Sequence, residues 1–78
     1  MSPAQCRAAR ALLNWSQDAL ADRAALSVTT LRNFERGATT PIGNNLAAIR
    51  SALEAAGVEF IEENGGGPGV RLRKGRDE

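Results

Sequence analysis

The chain has 78 residues, a length that allows one domain with a small hydrophobic core, and chains of this size often depend on disulfides, a metal or oligomerisation for stability. One cysteine and no histidine exclude an internal disulfide and a Cys/His zinc site, and this composition suits the reducing cytoplasm. The net charge is only +1, but it is unevenly distributed. Residues 1–50 carry six Arg against three acidic residues, whereas residues 51–78 carry four basic against six acidic residues. The basic N-terminal part therefore suits a surface that faces phosphate.

The first predicted element is a helix near the N-terminus. Residues 2–5 read SPAQ, in which the serine and the glutamine can form a capping box and the proline takes the first helical position. The helix is expected to run to about Leu13, with Cys6, Ala9 and Leu13 on its inner face. Cys6 is therefore interpreted as a small buried hydrophobe rather than a redox-sensing thiol.

Two short helices joined by a tight turn are predicted between Gln17 and Gly37. A serine stands before each helix and can cap its free N–H groups, Ser16 for the first and Ser27 for the second. Trp15 precedes the first cap at the position of a hydrophobic staple, so we expect it in the core rather than stacked on a base. Apolar residues at helical spacing predict the inner faces, which comprise Leu20, Ala21, Ala24, Leu31 and Phe34.

The same stretch contains the motif Q-x-x-L-A followed by S-x-x-x-L-x-x-F-E-x-G, formed by Gln17, Leu20, Ala21, Ser27, Leu31, Phe34, Glu35 and Gly37. This motif resembles the helix-turn-helix of the phage-repressor and Cro-like family, the XRE family. One position departs from the family pattern, because Ala25 stands where the family usually has glycine. Alanine adopts a positive φ less readily than glycine, so either a strained turn or a different path is expected.

The outward face of the second of these helices carries side chains that can read base edges. Val28 and Thr29 offer methyl groups to thymine and a hydroxyl to either base, Asn33 can bond adenine, and Arg32 can bond guanine or phosphate. A helix-turn-helix places its second helix in the major groove of DNA. The predicted base-reading residues are therefore Val28, Thr29, Arg32 and Asn33, and the alternative is a solvated polar surface.

Phosphate contacts are predicted around this helix. Gln17 opens its own helix, where the side chain and the free N–H groups can bind phosphate, as the resemblance also implies. The resemblance further implies a link between Arg10 and Glu35, so Arg10 has two interpretations, a structural ion pair or a phosphate contact. The full predicted phosphate set is Arg10, Ser16, Gln17, Arg36, Thr39, Thr40 and Asn44.

A fourth helix is predicted after a loop. Asn44 can cap it, Leu46, Ile49 and Leu53 fall on its inner face, and Gly57 can end it. Residues 1–57 are therefore predicted to form a helical DNA-binding domain.

Residues 58–74 are predicted to form a β-hairpin, with the runs VEFIE and VRLR separated by the turn NGGGPG. Opposite charges can pair across the strands, with Glu59, Glu62 and Glu63 on one run and Arg71 and Arg73 on the other. An isolated hairpin is marginally stable and its open edges invite another strand, so this hairpin is predicted to join two copies through Val58, Phe60, Ile61, Val70 and Leu72. Residues 75–78 are predicted to be a flexible tail.

The sequence thus predicts a mainly α fold, a four-helix repressor-like helix-turn-helix domain followed by a C-terminal β-hairpin. The predicted function is that of a cytoplasmic DNA-binding transcriptional regulator, a homodimeric repressor that occupies a palindromic operator on double-stranded DNA. The alternative is an antitoxin-type or other protein-interaction module that binds a protein partner at the hairpin edge. No enzyme activity, cofactor, metal or membrane association is expected.

Overall fold

The computed structural model describes residues 1–73, and Lys74 and the predicted tail 75–78 lie outside the described residues. Residues 1–73 form four helices and a two-stranded antiparallel sheet. In chain order the elements are α1 (Pro3–Leu13), α2 (Gln17–Ala24), α3 (Val28–Glu35), α4 (Gly43–Ala55), β1 (Val58–Ile61) and β2 (Gly69–Leu72). The predicted fold class, four helices followed by a hairpin, is confirmed.

Side-chain caps begin the first three helices as the sequence indicates. The Ser2 hydroxyl accepts a hydrogen bond from the Gln5 N–H at 3.0 Å, and the Gln5 side chain accepts one from the Ser2 N–H at 2.8 Å, which completes the capping box. Ser16 and Ser27 each accept from the backbone N–H three residues later, at 3.0 and 3.1 Å. Each of these caps satisfies a donor that the first turn of the helix leaves free.

The cap predicted for α4 is wrong. The N-cap is Ile42, whose carbonyl accepts from the N–H groups of Asn45 and Leu46, and no side chain caps this helix end. Asn44 consequently lies inside the first turn, one residue past the helix start. The other end agrees with the sequence, since Gly57 follows the helix with a φ of 108°.

The turn between α2 and α3 follows a left-handed path at Ala25, where φ is 57° and ψ is 44°. The chain therefore retains the conformation that glycine favours, with a Cβ at a position where non-glycine residues pay about 1–2 kcal/mol. Asn14, which ends α1, has a similar conformation, with φ 59° and ψ 38°. Asparagine tolerates this region better than alanine, so the strain is concentrated at Ala25.

Replacing Ala25 with glycine is expected to raise the free energy of unfolding by about 0.5–1 kcal/mol, because relief of the left-handed strain exceeds the added entropy of the unfolded chain. Urea unfolding followed through the fluorescence of the single tryptophan provides the measurement. Asn14→Gly is the matched control and should gain less. An Ala25→Gly variant that is no more stable than the wild-type protein would show that the backbone at Ala25 is not strained.

The core lies between the helices and the first strand. Its buried apolar residues are Cys6, Ala9, Leu20, Ala21, Ala24, Leu31, Phe34, Ile49, Leu53 and Val58, so Cys6 is buried as predicted. Trp15 is half-buried against this core, and the Arg23 guanidinium lies 4.3 Å from its ring centroid. Leu13 and Leu46 also contact the core but are only half-buried, at its edge rather than inside it.

The hairpin packs on the helical domain rather than standing alone. The Gln5 side-chain nitrogen on α1 donates to the carbonyl of Gly69 at 3.0 Å and to that of Ile61 at 3.4 Å. Val58, at the start of β1, is 1% exposed and belongs to the core. The same chain therefore stabilises its own hairpin, so the marginal stability of isolated hairpins does not by itself require a second copy.

The strand register separates the predicted dimerisation residues onto two faces. Val58 pairs with Leu72 and Phe60 with Val70, whereas Ile61 pairs with Gly69 and shares the opposite face with the Glu59–Arg71 pair. Ile61 and Leu72 are 39% and 43% exposed. The buried Val58 side chain cannot meet a second copy, which corrects the predicted set at that position.

Only part of the predicted cross-strand charge pairing forms. Arg71 donates to the Glu59 carboxylate at 2.8 Å, as predicted. Glu62 and Glu63 lie beyond the end of β1, and Glu62 instead approaches Arg50 on α4 at 4.0 Å. Arg73 contacts the other side of the hairpin through its backbone, because its N–H donates to the Gly57 carbonyl at 2.7 Å.

Candidate nucleic-acid interface

The outward face of α3 presents its predicted base-reading side chains unequally. Thr29 and Arg32 are exposed, and Asn33 is half-buried. Val28 is also half-buried and packs against the core, so only part of its side chain is available to a thymine methyl group. Thr29 and Arg32 are therefore the most accessible members of the predicted set.

Asn33 is engaged by a neighbour on the same helix face. The Arg36 Nε atom donates to the Asn33 side-chain oxygen at 3.1 Å. The backbone oxygen of Asn33 accepts from the N–H groups of Ala38 and Thr39, at 2.9 and 3.4 Å, which ties the loop after α3 to the end of that helix. This residue consequently connects the exposed face of α3 to the loop that carries Thr39 and Thr40.

The buried carboxylate of Glu35 joins α1, α2 and α3. It is 2% exposed, and Arg10 bonds both of its oxygens, through Nε at 2.7 Å and Nη2 at 2.8 Å. Gln17 Nε2 donates to one oxygen at 3.0 Å and Cys6 Sγ donates to the other at 3.1 Å. The ion pair implied by the resemblance is present, and two further donors complete the site.

Arg10 is committed to this structural site. Besides its two bonds to Glu35, its Nη1 atom donates to the Trp15 carbonyl at 3.0 Å. Each of the three guanidinium nitrogens therefore has a protein partner. Of the two interpretations of Arg10, the geometry favours the structural ion pair.

The pKa values of this cluster reflect the same contacts. Burial alone raises the pKa of Glu35, but hydrogen bonds from Arg10, Gln17 and Cys6, together with the charge of Arg10, outweigh it and hold this pKa below the ordinary glutamate value. Burial, and then the hydrogen bond and charge of Glu35, raise the pKa of the Cys6 thiol. The hydrogen bond to Glu35 raises the pKa of Arg10. The cluster is therefore a carboxylate paired directly with a guanidinium, and the neutral side chains of Gln17 and Cys6 donate to the same carboxylate.

A cationic cleft of about 340 Å³ opens beside this cluster, lined by Arg7, Arg10, Gln17, Arg32, Glu35 and Arg36. Arg7 was missing from the predicted phosphate set. Its side chain is exposed and its Nη1 atom donates to the backbone carbonyl of Glu35, at the C-terminal end of α3. Its spacing of three residues from Arg10 on α1 was a sequence signal that both arginines share one helix face.

The remaining predicted phosphate residues are exposed but are not lining residues of the cleft. Ser16 stands before α2, Thr39 and Thr40 lie in the loop after α3, and Asn44 lies in the first turn of α4. Ser16 uses its oxygen to accept from the Ala19 N–H, which leaves its hydroxyl hydrogen as a donor.

Comparison with known families agrees with this geometry. A family model described as helix-turn-helix matches residues 7–59, which include α2, the turn at Ala25 and α3. The chain belongs to the XRE-type helix-turn-helix family. The family is one of DNA-binding regulators, so this XRE-type protein is a DNA-binding regulator of that type.

A search of curated proteins found no match to this XRE-type chain. Within residues 1–73, no helix has the length and apolar character needed to cross a membrane. The described part of the chain also contains no group of three or more His, Cys, Asp or Glu residues placed to hold a metal ion.

Proposed function

We propose that this XRE-type protein is a dimeric transcriptional repressor that places α3 in the major groove of an operator. The observation that carries the proposal is the position of the exposed residues Thr29 and Arg32 on a helix that is anchored at Glu35 beside the cationic cleft. Major-groove reading requires such side chains on a helix held in a fixed orientation.

Base discrimination is assigned to the start and middle of α3. The Thr29 hydroxyl can donate or accept, Arg32 can bond both acceptors of guanine, and the exposed part of Val28 can contact a thymine methyl group. Each good bidentate contact contributes about 1–3 kcal/mol of discrimination.

Phosphate binding is assigned to the rim of the cleft. Arg7 and Arg36 provide exposed charges there. The Gln17 side chain donates to Glu35, so the phosphate contact predicted at this residue is assigned to the backbone N–H groups at the start of α2. Flanking phosphate contacts are proposed for Ser16, Thr39, Thr40 and Asn44. Arg10 is proposed to hold the helices around the cleft in place through its ion pair with Glu35.

Dimerisation is assigned to the segment 58–74, with residues 1–57 as the DNA-binding unit. Exposed Leu72 and Ile61 and half-buried Phe60 and Val70 are the apolar side chains that remain for a second copy. A two-fold dimer would present two copies of α3 to half-sites about 34 Å apart.

The second candidate function is recruitment of a protein partner, as in an antitoxin. The described sheet contains two strands, so each strand has an edge without a neighbouring strand, and an extended segment of a partner could add there.

Selection from a random DNA library at about 150 mM salt tests the proposed function. An enriched palindromic motif with half-sites about one helical turn apart would support the dimeric operator reader. A single half-site would support DNA reading without the dimer. Binding that enriches no motif and disappears as salt rises would reject sequence-specific reading and favour the protein-partner function.

A further inference from the structure

The Arg36–Asn33 hydrogen bond limits what Asn33 can offer to DNA. A guanidinium nitrogen can only donate, so the atom of Asn33 that it bonds at 3.1 Å must be the side-chain oxygen. The free group of the carboxamide is then its NH₂, which carries two donors. The two residues are three positions apart, a spacing that keeps them on one helix face.

This arrangement opposes the contact that asparagine commonly makes with adenine. That contact needs the side-chain oxygen to accept from the adenine amino group while the side-chain nitrogen donates to N7. The oxygen has a second lone pair, but an adenine amino group that used it would lie beside the Arg36 guanidinium, donor against donor. Guanine presents two acceptors in the major groove, N7 and O6, whereas thymine and adenine each present one, O4 and N7.

We propose that Asn33 and Arg36 act together as a specificity unit that presents donors alone to the major groove and selects guanine over adenine. This inference rests on the proposed placement of α3 in the major groove. In this unit Asn33 contacts the base, and Arg36 is a positioning residue that sets which atoms of Asn33 are free.

Library selection with the wild-type protein and three variants tests the unit. Asn33→Ala identifies its operator position as the one whose preference disappears. At that position the wild-type protein should select guanine, and Arg36→Ala should increase adenine relative to guanine by about five-fold or more, because the released oxygen permits the two-bond contact. Arg36→Met repeats the test with a longer apolar side chain, in case truncation to alanine disturbs the end of α3.

Arg23→Ala is the matched control, since it removes one positive charge from an exposed residue that contacts Trp15, outside the cationic cleft. It should leave the base preference unchanged. Three results would overturn the inference: wild-type selection of adenine at the Asn33 position, a preference unaltered by both Arg36 variants, or an Asn33→Ala variant that loses affinity equally for all sequences. Those results leave DNA reading intact, whereas failure of the wild-type protein to enrich any motif would reject the proposed function together with this unit.

Discussion

Replacing Glu35 with glutamine is expected to lower the free energy of unfolding by about 3–5 kcal/mol, because it leaves the partly buried Arg10 guanidinium without its counter-charge. A domain of this length has about 4–12 kcal/mol of stability in total, so the variant should be largely or wholly destabilised. Urea unfolding at neutral pH, followed by tryptophan fluorescence and helical circular dichroism, measures the loss.

Two comparisons show whether the loss of stability comes from leaving a buried charge unpaired or simply from removing an acidic group. Glu54→Gln breaks an exposed ion pair to Arg50, whose side chains are 44% and 38% exposed, and should cost less than about 0.5 kcal/mol. Joint replacement of Arg10 with methionine and Glu35 with leucine should recover much of the loss, because no buried charge remains unpaired. Equal losses in Glu35→Gln and Glu54→Gln would contradict the structural role of the buried pair.

The difference in unfolding free energy between the wild-type protein and Glu35→Gln should depend on pH, because the pKa of Glu35 is lowered in the folded protein. The carboxyl of Glu35 titrates at about pH 4.3 in the unfolded chain, and its pKa in the folded protein is lower. Its contribution to stability is therefore complete above the unfolded pKa and is lost as pH falls through the folded pKa. The stability gap between the wild-type protein and Glu35→Gln should therefore be constant near neutral pH and shrink on acidification. A gap that widens in acid would contradict the assigned direction.

Local signals in the sequence predicted the starts of α1, α2 and α3. Ser2, Ser16 and Ser27 each precede an apolar run in register, and each forms its cap. At α4 the predicted Asn44 cap and the apolar pattern also agree, but the helix begins at Gly43, with the Ile42 carbonyl rather than a side chain at its N-cap. A start at Gly43 or after Asn44 leaves Ile49 and Leu53 on the same helix face, so the apolar pattern does not fix the boundary.

Contacts between distant residues set the limit of sequence reasoning at the candidate interface. The family resemblance implied the Arg10–Glu35 pair, but the bonds from Gln17 and Cys6 to Glu35 span 18 and 29 residues, and no local pattern indicates them. The hairpin was predicted from its own sequence, whereas its attachment through Gln5 links residues 56 and 64 positions apart. Tertiary placement of this kind depends on the assembled core.

Joint replacement of Thr29 and Asn33 with alanine is expected to weaken binding to the selected operator by about 10-fold to more than 1,000-fold, since a good two-bond base contact contributes about 1–3 kcal/mol and a single hydrogen bond about 0.5–1.5 kcal/mol. Thr29 is exposed and Asn33 half-buried, so the variant should remain folded, as checked by circular dichroism. Affinity for unrelated DNA should stay nearly unchanged, because neither replacement removes a charge that neutralises phosphate. Titration of operator and unrelated duplexes at one salt concentration gives both affinities.

The matched control is Ser51→Ala with Glu54→Gln, which alters two solvent-accessible polar side chains on α4 and should preserve the preference for the operator. If the Thr29 and Asn33 variant binds operator and unrelated DNA as the wild-type protein does, α3 is not the element that reads the bases. The protein would then recognise DNA through phosphate contacts alone, and the hairpin edges, which have no neighbouring strand within residues 1–73, would become the stronger candidate for its specific partner.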